Sequence, residues 1–131
     1  MRIRIIVLLQ LAIVASAHWV HAAGPEAAKA DPEAIDFFEK KIRPVLIDKC
    51  YECHSAKAKV DGKLKGGLLL DSRQASQAGG DSGPSVVPRK LDESLIIEAI
   101  RYGEDSYQMP PAGKLPDKVI ADFEKWISMG A

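Results

Sequence analysis

The stretch Cys50-Tyr51-Glu52-Cys53-His54 decides how the rest of the chain is interpreted. It contains both cysteines of the protein, and His54 is the only histidine after residue 21. Two thiols separated by two residues can add to the two vinyl groups of one porphyrin, and the next residue is then held beneath the iron. The pattern is typical of covalently attached haem, with Cys50 and Cys53 as attachment points and the His54 imidazole as an iron ligand.

Other kinds of site also use closely spaced cysteines. A disulfide between Cys50 and Cys53 would close a very short loop, which stabilises a fold little, and such bridges are usually redox-active. A thioredoxin-like site would require βαβ patterning, which this chain lacks. A structural zinc site usually has four ligands, more than this stretch supplies. A thiol redox pair or a metal site remains an alternative to haem.

The first 22 residues have the features of a secretory signal peptide. Arg2 and Arg4 precede an apolar run over residues 5–14, and two small-residue cleavage patterns follow by residue 22. The apolar run is short for a membrane span, so we predict a cleaved signal and a periplasmic or otherwise exported protein with no span in its mature chain. An uncleaved anchor is the alternative.

The remaining chain is predicted to be one small domain. Residues 23–34 would form a flexible leader, and residues 35–131 would form the folded part. Without Arg2 and Arg4 the chain has 16 basic and 18 acidic residues, which gives no argument for binding nucleic acid. A domain of this size buries a limited core, to which an attached porphyrin would add.

Helical patterns predict an all-α fold. One helix begins at Asp31-Pro32-Glu33 and is kinked or ended by Pro44. A second starts at Asp92 or Ser94 and covers residues 93–102, with Leu95, Ile96, Ala99 and Ile100 buried. The last begins at Pro116 and ends at Gly130. Residues 55–67 and 79–84 are predicted loops. Apolar residues should join the first helix to the last: Phe38, Ile42, Phe123 and Trp126.

A haem bound by His54 alone would keep one axial position open. The other histidines and methionines are poorly placed, at the signal boundary or at the chain ends: His18, His21, Met1 and Met129. Met109 remains, in a loop stiffened by Pro110-Pro111, and a stiff loop can hold a thioether against iron at little ordering cost. A thioether favours Fe(II) and closes the sixth position, which predicts an electron carrier and not an enzyme. An ordinary apolar role for Met109 is the alternative.

The chain resembles class I cytochrome c and, more closely, the planctomycete-type cytochrome c domain. The matching runs are Phe38-Glu39-Lys40-Lys41-Ile42-Arg43-Pro44-Val45-Leu46, Cys50-Tyr51-Glu52-Cys53-His54, Lys65-Gly66-Gly67-Leu68-Leu69-Leu70-Asp71-Ser72-Arg73, Gly79-Gly80-Asp81-Ser82-Gly83-Pro84, Met109-Pro110-Pro111 and Trp126-Ile127-Ser128-Met129-Gly130-Ala131. The resemblance covers about residues 35–131.

The resemblance implies a compact all-α domain wrapped around one covalent haem c. Cys50 and Cys53 would form thioethers, with His54 as the proximal and Met109 as the distal ligand of the iron. The expected partners are unidentified redox proteins. Domains of this family usually stand at the front of much longer exported proteins, so a haem module of a larger exported enzyme is an alternative to a free-standing carrier.

Two further groups of residues are candidates for a role near the haem. Four lysines would form a basic rim for acidic redox partners, or only a solvated loop: Lys57, Lys59, Lys63 and Lys65. Haem propionates could be bound by Arg73, Arg89, Tyr102 or Tyr107. A haem enzyme or ligand sensor with a displaceable sixth ligand is the alternative function. The sequence offers no distal histidine or general acid near Met109 to support it.

Overall fold

The computed structural model describes residues 31–131, so the predicted signal peptide and most of the predicted leader lie outside the described residues. The described chain forms α1 (Pro32–Phe37), a π-helical turn (Phe38–Ile42), α2 (Arg43–Lys49), α3 (Ala56–Val60), α4 (Arg73–Ala78), α5 (Leu95–Arg101) and α6 (Asp117–Met129). No strand occurs in this part of the chain, which has only an isolated bridge between Gly80 and Gly83. The all-α prediction is confirmed.

The first helical stretch begins where the sequence predicts. The Asp31 side chain accepts a hydrogen bond of 3.0 Å from the Glu33 N–H, and Pro32 occupies the first turn. Pro44 does not end the stretch. The Arg43 N–H bonds to the Phe38 carbonyl, five residues back, so the hydrogen-bond register shifts just before the proline. The chain then continues as α2 into the cysteines.

The first and last helical stretches pack together as predicted. Ile42 and Phe123 are almost wholly buried, and the rings of Phe38 and Trp126 lie with their centroids 5.5 Å apart. α6 ends at Gly130, whose left-handed backbone suits a residue without a side chain. The N-terminal helices are thereby fixed against α6.

α5 supplies the rest of the core, with a face that differs from the predicted one. Ile96, Ile97 and Ile100 are buried, whereas Leu95 and Ala99 are half-buried. The helix begins at Leu95, with Ser94, one of the two predicted starts, as its cap residue; the Ser94 hydroxyl donates to the Lys90 carbonyl and accepts from the Val87 N–H. Ser94 therefore anchors the start of α5 to the preceding loop.

The predicted loop at residues 55–67 contains the short helix α3. Ser55 caps it by accepting a hydrogen bond of 3.1 Å from the Ala58 N–H. The Asp71 carboxylate binds the Ala56 N–H, so a distant residue also fixes the first turn. The rest of the segment is turn and irregular backbone. Within residues 31–131, no helix is both long and apolar enough to cross a membrane.

Candidate haem site

Residues 50–54, here called the attachment turn, continue directly from α2. The N–H groups of Cys50 and Tyr51 both bond to the Leu46 carbonyl at 2.9 Å. The N–H groups of Cys53 and His54 bond to the Cys50 carbonyl at 3.1 and 2.9 Å. The two thiols and the imidazole are therefore held by one short, hydrogen-bonded piece of backbone. Both cysteines are half-buried and free, with no disulfide between them.

Two neighbouring segments fix the attachment turn. The buried Ser55 hydroxyl donates a 2.6 Å hydrogen bond to the Tyr51 carbonyl while it caps α3. On the other side, the Leu70 N–H donates to the His54 carbonyl at 2.9 Å, and the Lys65 N–H donates to the Cys53 carbonyl at 3.1 Å. Ser55 was missed as a site residue. A serine directly before a run of helix-forming residues was the available signal.

Burial shifts the pKa values of two side chains in the attachment turn, Cys50 and His54. It raises the pKa of the Cys50 thiol to about 11, so this thiol is uncharged near neutral pH. Burial also lowers the pKa of His54, and backbone groups of Leu68 and Lys65 partly oppose that effect. Neutral imidazole is the form that binds a metal. The His54 ring is thus kept in its ligating form.

The residues of the attachment turn fit haem c. The His54 Nδ1 atom is buried and has no hydrogen-bond partner among the described residues. Such an atom is costly unless a ligand or a small rearrangement supplies a partner. Two free thiols, separated by two residues as in the attachment pattern of c-type haem, lie in the same turn. Within residues 31–131, no three His, Cys, Asp or Glu side chains form a set that could hold a metal ion.

The structure holds Met109 against α5. Its N–H donates to the Ala99 carbonyl at 3.0 Å, its side chain is half-buried, and the peptide bond to the buried Pro110 is cis. The Tyr102 hydroxyl donates to the Pro110 carbonyl at 2.7 Å. These contacts fix the loop to one helix. The meeting of Met109 and His54 at one iron stays a prediction.

The candidate propionate partners have other contacts. The Arg73 guanidinium donates to the Gly130 carbonyl at 3.4 Å, and the Arg89 guanidinium also lies beside Gly130. Both arginines line a groove of about 1250 Å³, whose lining includes Tyr51 and Glu52 of the attachment turn but none of the predicted haem attachment or iron-binding residues. Among the tyrosines, Tyr107 pairs with Ser82 at 3.2 Å. Binding of propionates by these residues stays a prediction that this geometry does not support.

The lysine-rich segment is an exposed surface beside the attachment turn. Lys57 pairs with Asp61 at 2.6 Å, and Lys59, Lys63 and Lys65 are exposed. Val60 lies among them with 87% of its surface accessible. A basic rim for acidic redox partners at these lysines stays a prediction.

Comparisons with known proteins give a match to one family model. No match was found among curated proteins or among solved structures. Residues 50–113 match the family model described as Planctomycete cytochrome C. The match begins at Cys50 and extends beyond Met109, so both segments predicted to bind the haem iron lie within it. Residues 50–113 of the chain are therefore similar to the planctomycete cytochrome C family.

Proposed function

We propose that this protein is an exported c-type cytochrome that carries electrons through a single haem. Cys50 and Cys53 bind the porphyrin covalently, and His54 and Met109 are the two axial ligands. The observation that carries the proposal is the attachment turn, in which two free thiols and a neutral imidazole share one hydrogen-bonded backbone segment. Its position at the start of the match to a cytochrome family supports the same function.

Haem c supplies a one-electron Fe(II)/Fe(III) couple when bound. The chain's own residues hold the ligands on fixed backbone. The Cys50 carbonyl accepts from the His54 N–H, the Ala99 carbonyl accepts from the Met109 N–H, and helices α2 and α5 support these two acceptors. Ligands that are fixed in this way need little movement when the charge on the iron changes. The protein therefore binds and orients the haem and keeps its sixth position closed.

Replacing Met109 tests the axial assignment. Met109→Ala should lower the reduction potential, because a thioether favours Fe(II), and should let carbon monoxide bind rapidly to the reduced protein. Met129→Ala removes the other methionine of the described chain and is the matched control. Unchanged spectra and potential in Met109→Ala would contradict the assignment. Rapid carbon monoxide binding by the unaltered protein would instead favour the haem enzyme or ligand sensor.

The predicted export is tested by the mass of the unaltered protein. The intact mass of protein from an exporting host should correspond to cleavage near residue 22, with the haem bound. A full-length mass in the membrane fraction would indicate an uncleaved anchor. The redox partner, and membership in a larger exported enzyme, can be examined by co-purification from the native source.

A further inference from the structure

The side chain of Tyr102 joins the end of α5 to the loop that carries Met109. Its hydroxyl, which is partly buried, donates a 2.7 Å hydrogen bond to the carbonyl of Pro110, the residue after Met109. On the other side, the Met109 N–H donates to the Ala99 carbonyl at 3.0 Å. The backbone on both sides of the Met109 side chain is therefore attached to the same helical segment.

The backbone of Tyr102 is left-handed, with φ 65° and ψ 39°. At the end of a helix this conformation is usually taken by glycine, because a Cβ atom is disfavoured there. Gly103 follows directly, yet the left-handed position is occupied by a tyrosine. A glycine at residue 102 would adopt the left-handed conformation without steric strain, but it would lose the hydrogen bond from the tyrosine hydroxyl to Pro110. The conformation thus indicates that this side chain has a role.

The same loop offers a comparison within the chain. Tyr107 precedes Met109 by two residues, but its side chain is exposed and its hydroxyl pairs with the exposed Ser82 at 3.2 Å. Tyr107 makes no hydrogen bond to the backbone next to Met109 within the described chain. Of the two tyrosines, only Tyr102 is placed to control the position of the thioether.

We propose that Tyr102 is a positioning residue for Met109. Its hydrogen bond to Pro110 keeps the Met109 sulfur ready for the iron and thereby keeps the sixth position closed. This inference rests on the proposed role of Met109 as an axial ligand. The Pro110 carbonyl also accepts from the Gly113 N–H at 3.1 Å, so loss of the hydroxyl weakens the attachment without leaving that carbonyl unpaired.

The test compares Tyr102→Phe with Tyr107→Phe in the haem-loaded full chain. Carbon monoxide can bind the reduced iron only when Met109 has left it, so its association rate reports the population of the open state. Tyr102→Phe should increase this rate about fivefold, the factor for one neutral hydrogen bond. It should also lower the reduction potential and weaken the ferric charge-transfer band of methionine-ligated haem. Tyr107→Phe should match the unaltered protein.

Unchanged rate and potential in Tyr102→Phe would overturn the inference, and so would equal changes in both variants. The double variant Tyr102→Phe/Met109→Ala should bind carbon monoxide at the rate of Met109→Ala, because Tyr102 acts only through Met109; a different rate would also overturn it. Met109→Ala alone separates the two claims. If it leaves carbon monoxide binding unchanged, the proposed ligand is wrong. If it accelerates binding and Tyr102→Phe does not, only the role of Tyr102 is wrong.

Discussion

The ring of Phe38 packs on that of Trp126 with a centroid distance of 5.5 Å and an angle of 34° between their planes. Trp126 also meets Phe123 edge-on at 6.1 Å. These contacts fasten the first helical stretch to α6. Since α2 continues from that stretch into the attachment turn, the same packing fixes the position of the turn.

Removing the Trp126 ring should therefore destabilise the whole domain. Trp126→Ala is expected to lower the free energy of unfolding by about 3–5 kcal/mol, because a large buried ring leaves a cavity. Ile47→Ala is the control: that side chain is 56% exposed, and its loss should change the free energy by less than about 0.5 kcal/mol. Urea unfolding of the haem-loaded protein measures both. Equal effects would contradict the packing described here.

The contact of the first helix with the last was predictable because both have apolar residues at helical spacing. The π-helical turn before Pro44 could not be predicted. A proline indicates that the helical hydrogen bonds are interrupted, but it does not indicate which register they adopt around it. The helix α3 was missed because its stability depends on a tertiary contact between Ala56 and Asp71, which are far apart in sequence. Short polar helices of this kind have little pattern of their own.

The candidate haem site also has one part that the sequence predicts and one part that it does not. The attachment turn is local, so the spacing of Cys50, Cys53 and His54 was enough to predict a haem-attachment site, and that chemistry stays a prediction. The attachment of Met109 to α5 depends on Ala99 and Tyr102, and no spacing in the sequence indicates a hydrogen bond from a tyrosine to the Pro110 carbonyl. Non-local backbone contacts of this type become visible only in the folded chain.

A close backbone approach should make Gly79 irreplaceable. Its φ is +81° and its ψ −164°, and an added Cβ would overlap the Gly83 carbonyl. Gly79→Ala is expected to cost about 3 kcal/mol or more, because the backbone itself must move. Gly62→Ala is the control: Gly62 also has positive φ, but its Cβ would meet open space, so only about 1–2 kcal/mol should be lost. Similar unfolding free energies for both variants would contradict this account.

The hydroxyl of Ser55 should stabilise the protein more than an ordinary helix cap does. Ser55→Ala loses the cap of α3 and the buried bond to the Tyr51 carbonyl, and should cost about 2 kcal/mol. Ser72→Ala removes only the exposed cap of α4 and should cost about 1 kcal/mol or less. Chemical denaturation of the two variants gives the difference. A larger loss in Ser72→Ala would show that the attachment turn does not depend on Ser55.

The lysine-rich segment that follows the attachment turn should speed electron transfer by attracting anionic redox partners. Lys59→Glu is expected to slow oxidation by the ferricyanide anion a few-fold at low ionic strength, because it reverses one charge close to the attachment turn. Lys125→Glu makes the same change in net charge on α6, where the Lys125 ammonium lies over the Phe37 ring of α1, and should have a smaller effect. Both differences should vanish at about 1 M salt, where the Debye length falls to about 3 Å. Stopped-flow kinetics measure the rates, and identical slowing would indicate that only net charge matters.

The most direct test of the central claim is the mass of the chain after removal of everything that is not covalently bound. The protein is produced in an exporting host with a haem-attachment system, denatured, extracted with acidified organic solvent and weighed intact. The account predicts that the mature chain keeps the mass of one haem, and that Cys50→Ser/Cys53→Ser loses it. Haem that leaves the unaltered protein on extraction, with a chain of unmodified mass, would contradict the claim.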